Sequence, residues 1–305
     1  MSVSIKDIVK NPLLIVAKLW KIFSPIVKSD LLYLKVRYRC VMKRRLNLDN
    51  PQTYNEKLQW IKLYYRKPIM TKMVDKYAAK EYVANIIGEE YIIPTLGVWD
   101  SVEDIDFDAL PNRFVLKPTH DSGEYIICKD KSNLDKEKAL KKLKKSLKRN
   151  YFYENREWPY KDVKPRIIAE QYMEDERGEL NDYKFFCFDG EVKAILIATE
   201  RHTKHGPFFD YFDKDFNHFP FEQGGPNSNK QIEKPEKLDE MCEMARKLSK
   251  GIPHVRVDLY CVKGQIYFGE LTFFDSSGMA EFNPEEWNYT FGSWIKLPIN
   301  NYANE

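Results

Sequence analysis

A chain of 305 residues, 14% of them aromatic, carries enough apolar material for a sizeable packed core, which excludes a disordered or fibrous protein. Five cysteines (Cys40, Cys128, Cys187, Cys242 and Cys261) are scattered, without a close pair or metal-ligand spacing. With no cleavable secretory signal visible, a reducing, cytoplasmic setting is expected.

The net charge of +3 is unevenly placed: residues 1–50 hold eleven Lys and Arg against three Asp, an excess of +8 that leaves the rest at −5. Within them Pro12 to Phe23 is apolar but interrupted by Lys18 and Lys21, too short and too charged to span a bilayer. Lys35, Arg37, Arg39, Lys43, Arg44 and Arg45 follow. The segment reads either as a basic amphipathic piece on an anionic membrane surface, a peripheral contact for residues 1–50, or as a helical pair packed on the main body with a solvated basic face. Nucleic acid is not an expected partner, because the remainder is acidic and no reader module is present. A basic helical segment, 1–70, is expected ahead of a main domain, 71–305.

Thr53 and Glu56 form a capping box that opens a helix. A second helix is predicted from about Thr71 through Ile87, ended by Gly88. Ile92-Ile93-Pro94 leads into a short strand at Gly97–Trp99, and a further strand, Arg113–Lys117, stops at Pro118. In Lys117-Pro-Thr-His-Asp-Ser-Gly123 a lysine at a strand end precedes a small-residue turn. Such a segment can hold a phosphate by a point charge and backbone amides, or can simply connect two strands. The Lys-rich stretch 129–149, with Leu134, Leu140, Leu143 and Leu147 at near-helical spacing, reads as a surface helix with a solvated face.

Arg166–Met173 reads as a buried strand ending in polar residues, followed by a turn at Glu176-Arg177-Gly178. Strands Asp182–Phe188 and Glu191–Ala198 flank Asp189-Gly190, a strong hairpin signal. His202 and His205, with Arg201 and Lys204, lie in a polar loop that could fold over an acceptor or be an ordinary connection. His120 is a further candidate acid or base. A helix is predicted over Glu236–Lys250, with Leu238, Met241, Ala245 and Leu248 inward. Strands joined mainly as hairpins indicate an antiparallel α+β architecture and argue against a doubly wound parallel sheet.

The most informative stretch is a second hairpin around Lys263-Gly264, which carries Arg256-Val-Asp258 on one strand and Glu270-Leu-Thr272 on the other. Because side chains alternate faces, a two-residue loop would put Asp258 and Glu270 on opposite sides. A three-residue loop, Val262-Lys263-Gly264, puts Arg256, Asp258, Glu270 and Thr272 on one face, and this loop is expected. Adjacent carboxylates need a cation between them. A hard divalent ion such as magnesium, which takes one or two carboxylates together with waters and phosphates, fits a nucleoside-triphosphate site. A salt-bridge ladder in which Arg256 neutralises both acids is the alternative.

Taken in order, these fragments resemble the ATP-grasp superfamily. Asn50-Pro-Gln-Thr-Tyr-Asn-Glu-Lys-Leu-Gln-Trp60, Val115-Leu-Lys-Pro118 and Phe268-Gly-Glu-Leu-Thr-Phe273 are similar to its TupA-like branch, found among bacterial cell-surface polysaccharide genes, and the likeness covers residues 50–297. It implies an ATP-grasp fold in which subdomains of about 71–173 and 174–305, built on antiparallel sheets, clasp ATP. It also implies ATP and Mg as cofactors. Lys76 and Lys117 resemble the phosphate-binding lysines, with Lys80 the competing choice at the first position. Thr119 to Gly123, including Ser122 and Gly123, resemble the phosphate-covering loop. Glu170, Gln171, Tyr172 and Met173 resemble the adenine-binding linker, and Asp182 the ribose-binding acid. Asp258 and Glu270 resemble the metal carboxylates, with Thr272 where many relatives carry Asn. Arg256 resembles the cation that steadies the transferred phosphoryl group, and Lys184 is placed beside it as catalytic.

The implied activity is an ATP-dependent carboxylate–amine ligase acting through an acyl phosphate. The implied partners are a carboxylated glycan or sugar precursor and an amine. Two other readings stay open. A glycosyltransferase could use Asp104-x-Asp106, Asp106-x-Asp108 or Asp213-x-Asp215, although turn chemistry also explains these pairs. A catalytically silent scaffold is the other.

Overall fold

The computed structural model describes residues 11–174, 182–200 and 206–298. The Glu176–Gly178 turn and the loop holding Arg201, His202, Lys204 and His205 lie outside them.

Three antiparallel sheets organise the chain. In the first, β1 (Thr95–Trp99), β4 (Ile167–Gln171), β2 (Phe114–Pro118) and β3 (Ile126–Cys128) lie side by side in that order. The second runs β10 (Gln265–Thr272), β9 (Val255–Val262), β5 (Asp182–Phe188), β6 (Glu191–Thr199), β7 (Phe208–Phe212). A short ladder joins β11 (Phe282–Asn283) to β8 (Glu222–Gln223). Every strand pair in these sheets is antiparallel, as expected from the hairpin-rich sequence. Asp189 and Gly190 both adopt positive φ at the β5–β6 turn, the conformation that an Asp-Gly hairpin demands.

The larger core forms around the five-stranded sheet. The helix Leu238–Ser249 buries Leu238, Met241, Ala245 and Leu248, its predicted inward stripe. The helix Tyr54–Tyr64 begins at the predicted capping box, with Thr53 and Glu56 each bonding the other's backbone N–H. Its residues Tyr54, Leu58 and Ile61 belong to the large core, although the sequence expectation puts this helix in the N-terminal segment. A smaller core, including Phe114, Leu116, Leu143, Ile167 and Ala169, lies behind the four-stranded sheet.

One predicted element is wrong in detail. The helix expected over Thr71–Ile87 is two helices, Pro68–Val74 and Ala78–Ile87. Asp75 breaks it: its Oδ1 accepts from the N–H groups of Tyr77 at 2.9 Å and Ala78 at 3.3 Å, offering the backbone an alternative to continued helix. Lys76 stands in that break.

His254 is fully buried among aromatic rings, with Nε2 2.9 Å from the Tyr54 hydroxyl and Nδ1 3.0 Å from the Cys187 carbonyl. Burial pushes its pKa down to about 3. The folded protein therefore resists a proton that the unfolded chain accepts near pH 6.5. This stability is complete above pH 6.5 and declines as pH falls toward 3, by up to about 5 kcal/mol. Urea unfolding across that range is expected to show a flatter pH dependence for His254→Gln than for the native chain; parallel curves would refute this account.

Candidate active site

The turn of the β9–β10 hairpin differs from expectation. Val262 pairs with Gln265, so the loop has two residues, Lys263 and Gly264, at φ of 51° and 77°. Both central residues at positive φ match the strand twist of a tight hairpin. In an uninterrupted ladder such a turn would put Glu270 on the wrong face. Between Phe268 and Glu270, however, the register shifts by one, with Gly269 the extra residue, and Glu270 comes to lie opposite Asp258 and Thr272 opposite Arg256. The shared face is therefore produced by a bulge and not by an odd loop. Gly269 suits the close approach, since a Cβ there would come within 3.0 Å of the Asp258 carbonyl oxygen and of the Tyr260 ring.

Arg256 lies between the acids. Its Nε donates to Asp258 Oδ1 and one terminal nitrogen to Oδ2, both at 2.7 Å. The same nitrogen reaches Thr272 Oγ1 at 3.2 Å and Glu270 Oε1 at 3.4 Å. On the neighbouring strand Lys184 bonds Asp258 Oδ2 at 2.6 Å and also Asp182. Burial alone would raise the Asp258 pKa, but Arg256 and Lys184 outweigh it and hold the carboxyl below its ordinary range. Arg256 likewise stays charged because Asp258 and Asp275 overcome the cost of burial. The cation between the two acids is thus this guanidinium, as in the alternative sequence reading, but the pair is a buried one at Asp258. Glu270 differs: its side chain is 39% exposed, and among the described residues its hydrogen bonds run through Oε1 alone.

Asp275, missed by the sequence reading, bonds the other terminal nitrogen of Arg256. It opens a tight turn, Asp275–Gly278, in which Ser276 and Ser277 are both left-handed. Buried polar groups hold that turn. Lys62 Nζ donates to the Ser277 carbonyl at 2.8 Å, Gln59 Nε2 to the Gly278 carbonyl at 2.8 Å, and Ser277 Oγ to Glu157 at 2.5 Å. Burial pushes Lys62 down to about 7. The Asp-Ser-Ser-Gly run after a strand is a turn signal that could have marked this position.

The lysines gather at the four-stranded sheet. Glu170, buried on β4, bridges Lys80 and Lys117, each at 2.6 Å. Together these two lysines overcome the effect of burial and keep the Glu170 pKa low. Lys76 bonds the backbone carbonyl of Asp121 in the small-residue loop. Burial lowers its pKa, and Glu270 exerts the strongest opposing pull, so the hairpin acid lies within electrostatic reach of this lysine. The loop is anchored where Asp121 accepts from Ser146 Oγ at 2.8 Å and pairs with Arg149, while its tip, Ser122 and Gly123, is exposed. His120 is buried with Nε2 3.0 Å from the Ser146 carbonyl, a structural position at the base of the loop.

Between the two large sheets opens a cleft of about 1210 Å³. Val115 and Lys117 line it from β2, Ile127 from β3, Gln171 to Met173 from the end of β4, and Tyr183, Ile197 and Tyr260 from the five-stranded sheet. The Gln171 N–H is committed to the Pro94 carbonyl at 3.1 Å. Asp182 is buried on Lys184 and is not on the cleft wall.

Residues 56–296 match the profile of the TupA-like ATPgrasp family. The chain belongs to this family. Its fold is the ATP-grasp fold. Comparison with curated proteins gives no match. Among solved structures, an L-amino acid ligase from Bacillus licheniformis is 15% identical at a TM-score of 0.48, over 92% of this chain and 66% of that one. A D-alanine–D-alanine ligase from Bacillus anthracis is 19% identical at 0.39, over 72% and 59%. The ATP-grasp ligase PsnB, solved with minimal precursor, Mg and ADP, is 13% identical at 0.39, over 72% and 57%. The present chain thus spans less than two-thirds of the length of each.

Two of the three Asp-x-Asp pairs are turns, and Asp104 of the third ends the short helix Val102–Asp104. Asp213 Oδ1 accepts from the N–H groups of Asp215 at 2.9 Å and Asn217 at 2.8 Å, and Asp106 Oδ1 accepts from those of Asp108 at 2.9 Å and Ala109 at 3.2 Å. Among the described residues no group of three or more His, Cys, Asp or Glu side chains could hold a metal by itself.

Proposed function

We propose that this protein is an ATP- and magnesium-dependent carboxylate–amine ligase, working on the cytoplasmic side, that joins an amine or amino acid to a carboxylated cell-surface glycan or its precursor. The observation that carries the reading is the pairing of half-exposed Glu270 with Asp258 across the β9–β10 bulge, within electrostatic reach of Lys76, which in turn feels Lys117 on the cleft wall.

The donor set fits magnesium bound with a nucleotide. Two carboxylates suffice when phosphates and waters complete the shell, whereas a free-standing protein cage would need more. Asp258 Oδ1 accepts one hydrogen bond and keeps a lone pair, and the Glu270 side chain is partly exposed, so these two residues would hold the ion, with Thr272 beside them. Bound there, magnesium would neutralise phosphate charge. Lys76 and Lys117 would take phosphate oxygens, Ser122 and Gly123 would cover them, and the apolar wall with Glu170 to Met173 would receive the base. Arg256 and Lys184 would supply fixed positive charge where negative charge builds up.

In the reaction a substrate carboxylate oxygen attacks the γ-phosphorus as the bond to ADP breaks. The amine then attacks the resulting acyl carbon, phosphate leaves, and the amine proton passes to solvent. No protein nucleophile is needed. Incubation with ATP, magnesium and candidate acids in hydroxylamine should yield a hydroxamate together with ADP. ADP release that never depends on an acid would overturn the proposal. Lys117→Met should raise the KM for ATP by about 10- to 100-fold, the loss of one charge-assisted bond, while Lys80 still neutralises Glu170. An unchanged KM would remove Lys117 from the site.

A further inference from the structure

The helix Leu13–Ile22 is turned inside out relative to an ordinary surface helix. It buries Ala17 and pins Lys21 to Glu154, while Trp20 Nε1 donates to the Tyr33 carbonyl at 3.3 Å and the Ala17 carbonyl accepts from Arg37 at 2.8 Å. At 3.6 residues per turn the opposite side carries Ile15, Val16, Leu19 and Ile22, 44–67% exposed. The chain then exposes Phe23 and Ile26, the latter at 73%, and Leu31 and Leu32 at the start of the next helix. With Leu13, nine of the sixteen large hydrophobic residues exposed among the described residues fall within these twenty positions; the other seven are spread between residues 64 and 289. Scattered apolar residues are ordinary, whereas a run of this kind marks an interaction surface.

Its charge identifies the partner. Lys18, Lys28, Lys35, Arg39, Lys43 and Arg45 are exposed in the same segment. The one acid between residues 11 and 45, Asp30, is already paired with Arg66 at 2.8 Å and Arg156 at 3.0 Å. An aliphatic face flanked by cations that make no ion pair among the described residues suits acyl chains beneath anionic headgroups, whereas lysine is depleted from protein–protein interfaces. Among the described residues no helix is long and apolar enough to cross a membrane, which leaves lying on the surface as the mode of contact. We propose that residues 13–32 dock on an anionic lipid bilayer, with Ile15, Leu19, Ile22, Phe23 and Ile26 immersed and the neighbouring lysines on phosphate groups. Neither hydrophobic insertion nor a basic patch alone anchors a protein stably, and this segment carries both. The surface stands apart from the cleft and does not rest on the ligase reading.

The test is sedimentation of the full chain with vesicles of phosphatidylcholine, alone or mixed equally with phosphatidylglycerol. The native protein should bind the mixed vesicles about tenfold or more tightly than the neutral ones, and rising salt should weaken that binding. Leu19→Asp with Ile22→Asp should abolish it, and Lys18→Glu with Lys28→Glu should weaken it about tenfold, both with unchanged melting temperature and ATP affinity. Failure of the native chain to sediment with mixed vesicles, or full binding by the Leu19→Asp, Ile22→Asp variant, would overturn the proposal. A native dimer that this variant dissociates, with no vesicle binding, would assign the face to a second copy of the chain and overturn it equally.

Discussion

Replacing Glu270 with Gln is expected to lower kcat by about a thousandfold while the melting temperature moves by about 2 °C or less. The two effects separate because of how this residue sits. Its side chain is partly exposed, and its described hydrogen bonds, to Arg256 and Thr272, use one oxygen that an amide carbonyl can replace. Lost are the negative charge on which magnesium would rest and the strongest pull on the Lys76 ammonium. ADP formation with an acid and amine present, followed beside a thermal melt, is the measurement. Native turnover by the variant would remove the hairpin from the chemistry, and a melting temperature far below that of the native chain would mean that Glu270 is structural instead.

Arg256→Met should have the opposite profile, a loss of stability of about 3–5 kcal/mol along with loss of activity. The guanidinium is buried and binds Asp258 with two nitrogens, Asp275 with another and Thr272 and Glu270 at longer range. A flexible thioether leaves Asp258 and Asp275 buried with Lys184 as the cation still bonded to Asp258. Arg256→Lys should recover little, because an ammonium cannot meet several acceptors in the plane of a fork. Urea unfolding at neutral pH reads the effect directly. A loss under about 1 kcal/mol would show that the acids are neutralised without Arg256.

Much of the fold was legible because it rests on local chemistry. The Thr53–Glu56 capping box, the Asp189-Gly190 hairpin and the inward stripe from Leu238 to Leu248 each depend on a few neighbouring residues. The facing of Asp258 and Glu270 was legible for a different reason. An odd loop is the simplest way for a hairpin to bring two such acids to one face, whereas the chain does so with a shorter turn and a later bulge. A glycine within a strand is the local sign of such a bulge, and Gly269 carries it. Asp75 was hidden by apolar periodicity, which averages across a break of three residues. Asp275, Lys62 and Glu157 are held together by contacts between residues distant in sequence, and no local pattern reports those.

The resting site supplies its own counter-ions. Lys80 and Lys117 share Glu170, Lys184 shares its proton donors between Asp182 and Asp258, and Arg256 has four partners. A triphosphate arriving at these groups would exchange one anion for another, in contrast to a site of free lysines, which sheds dissolved anions when it fills. The physical consequence is a shallow dependence of nucleotide affinity on ionic strength.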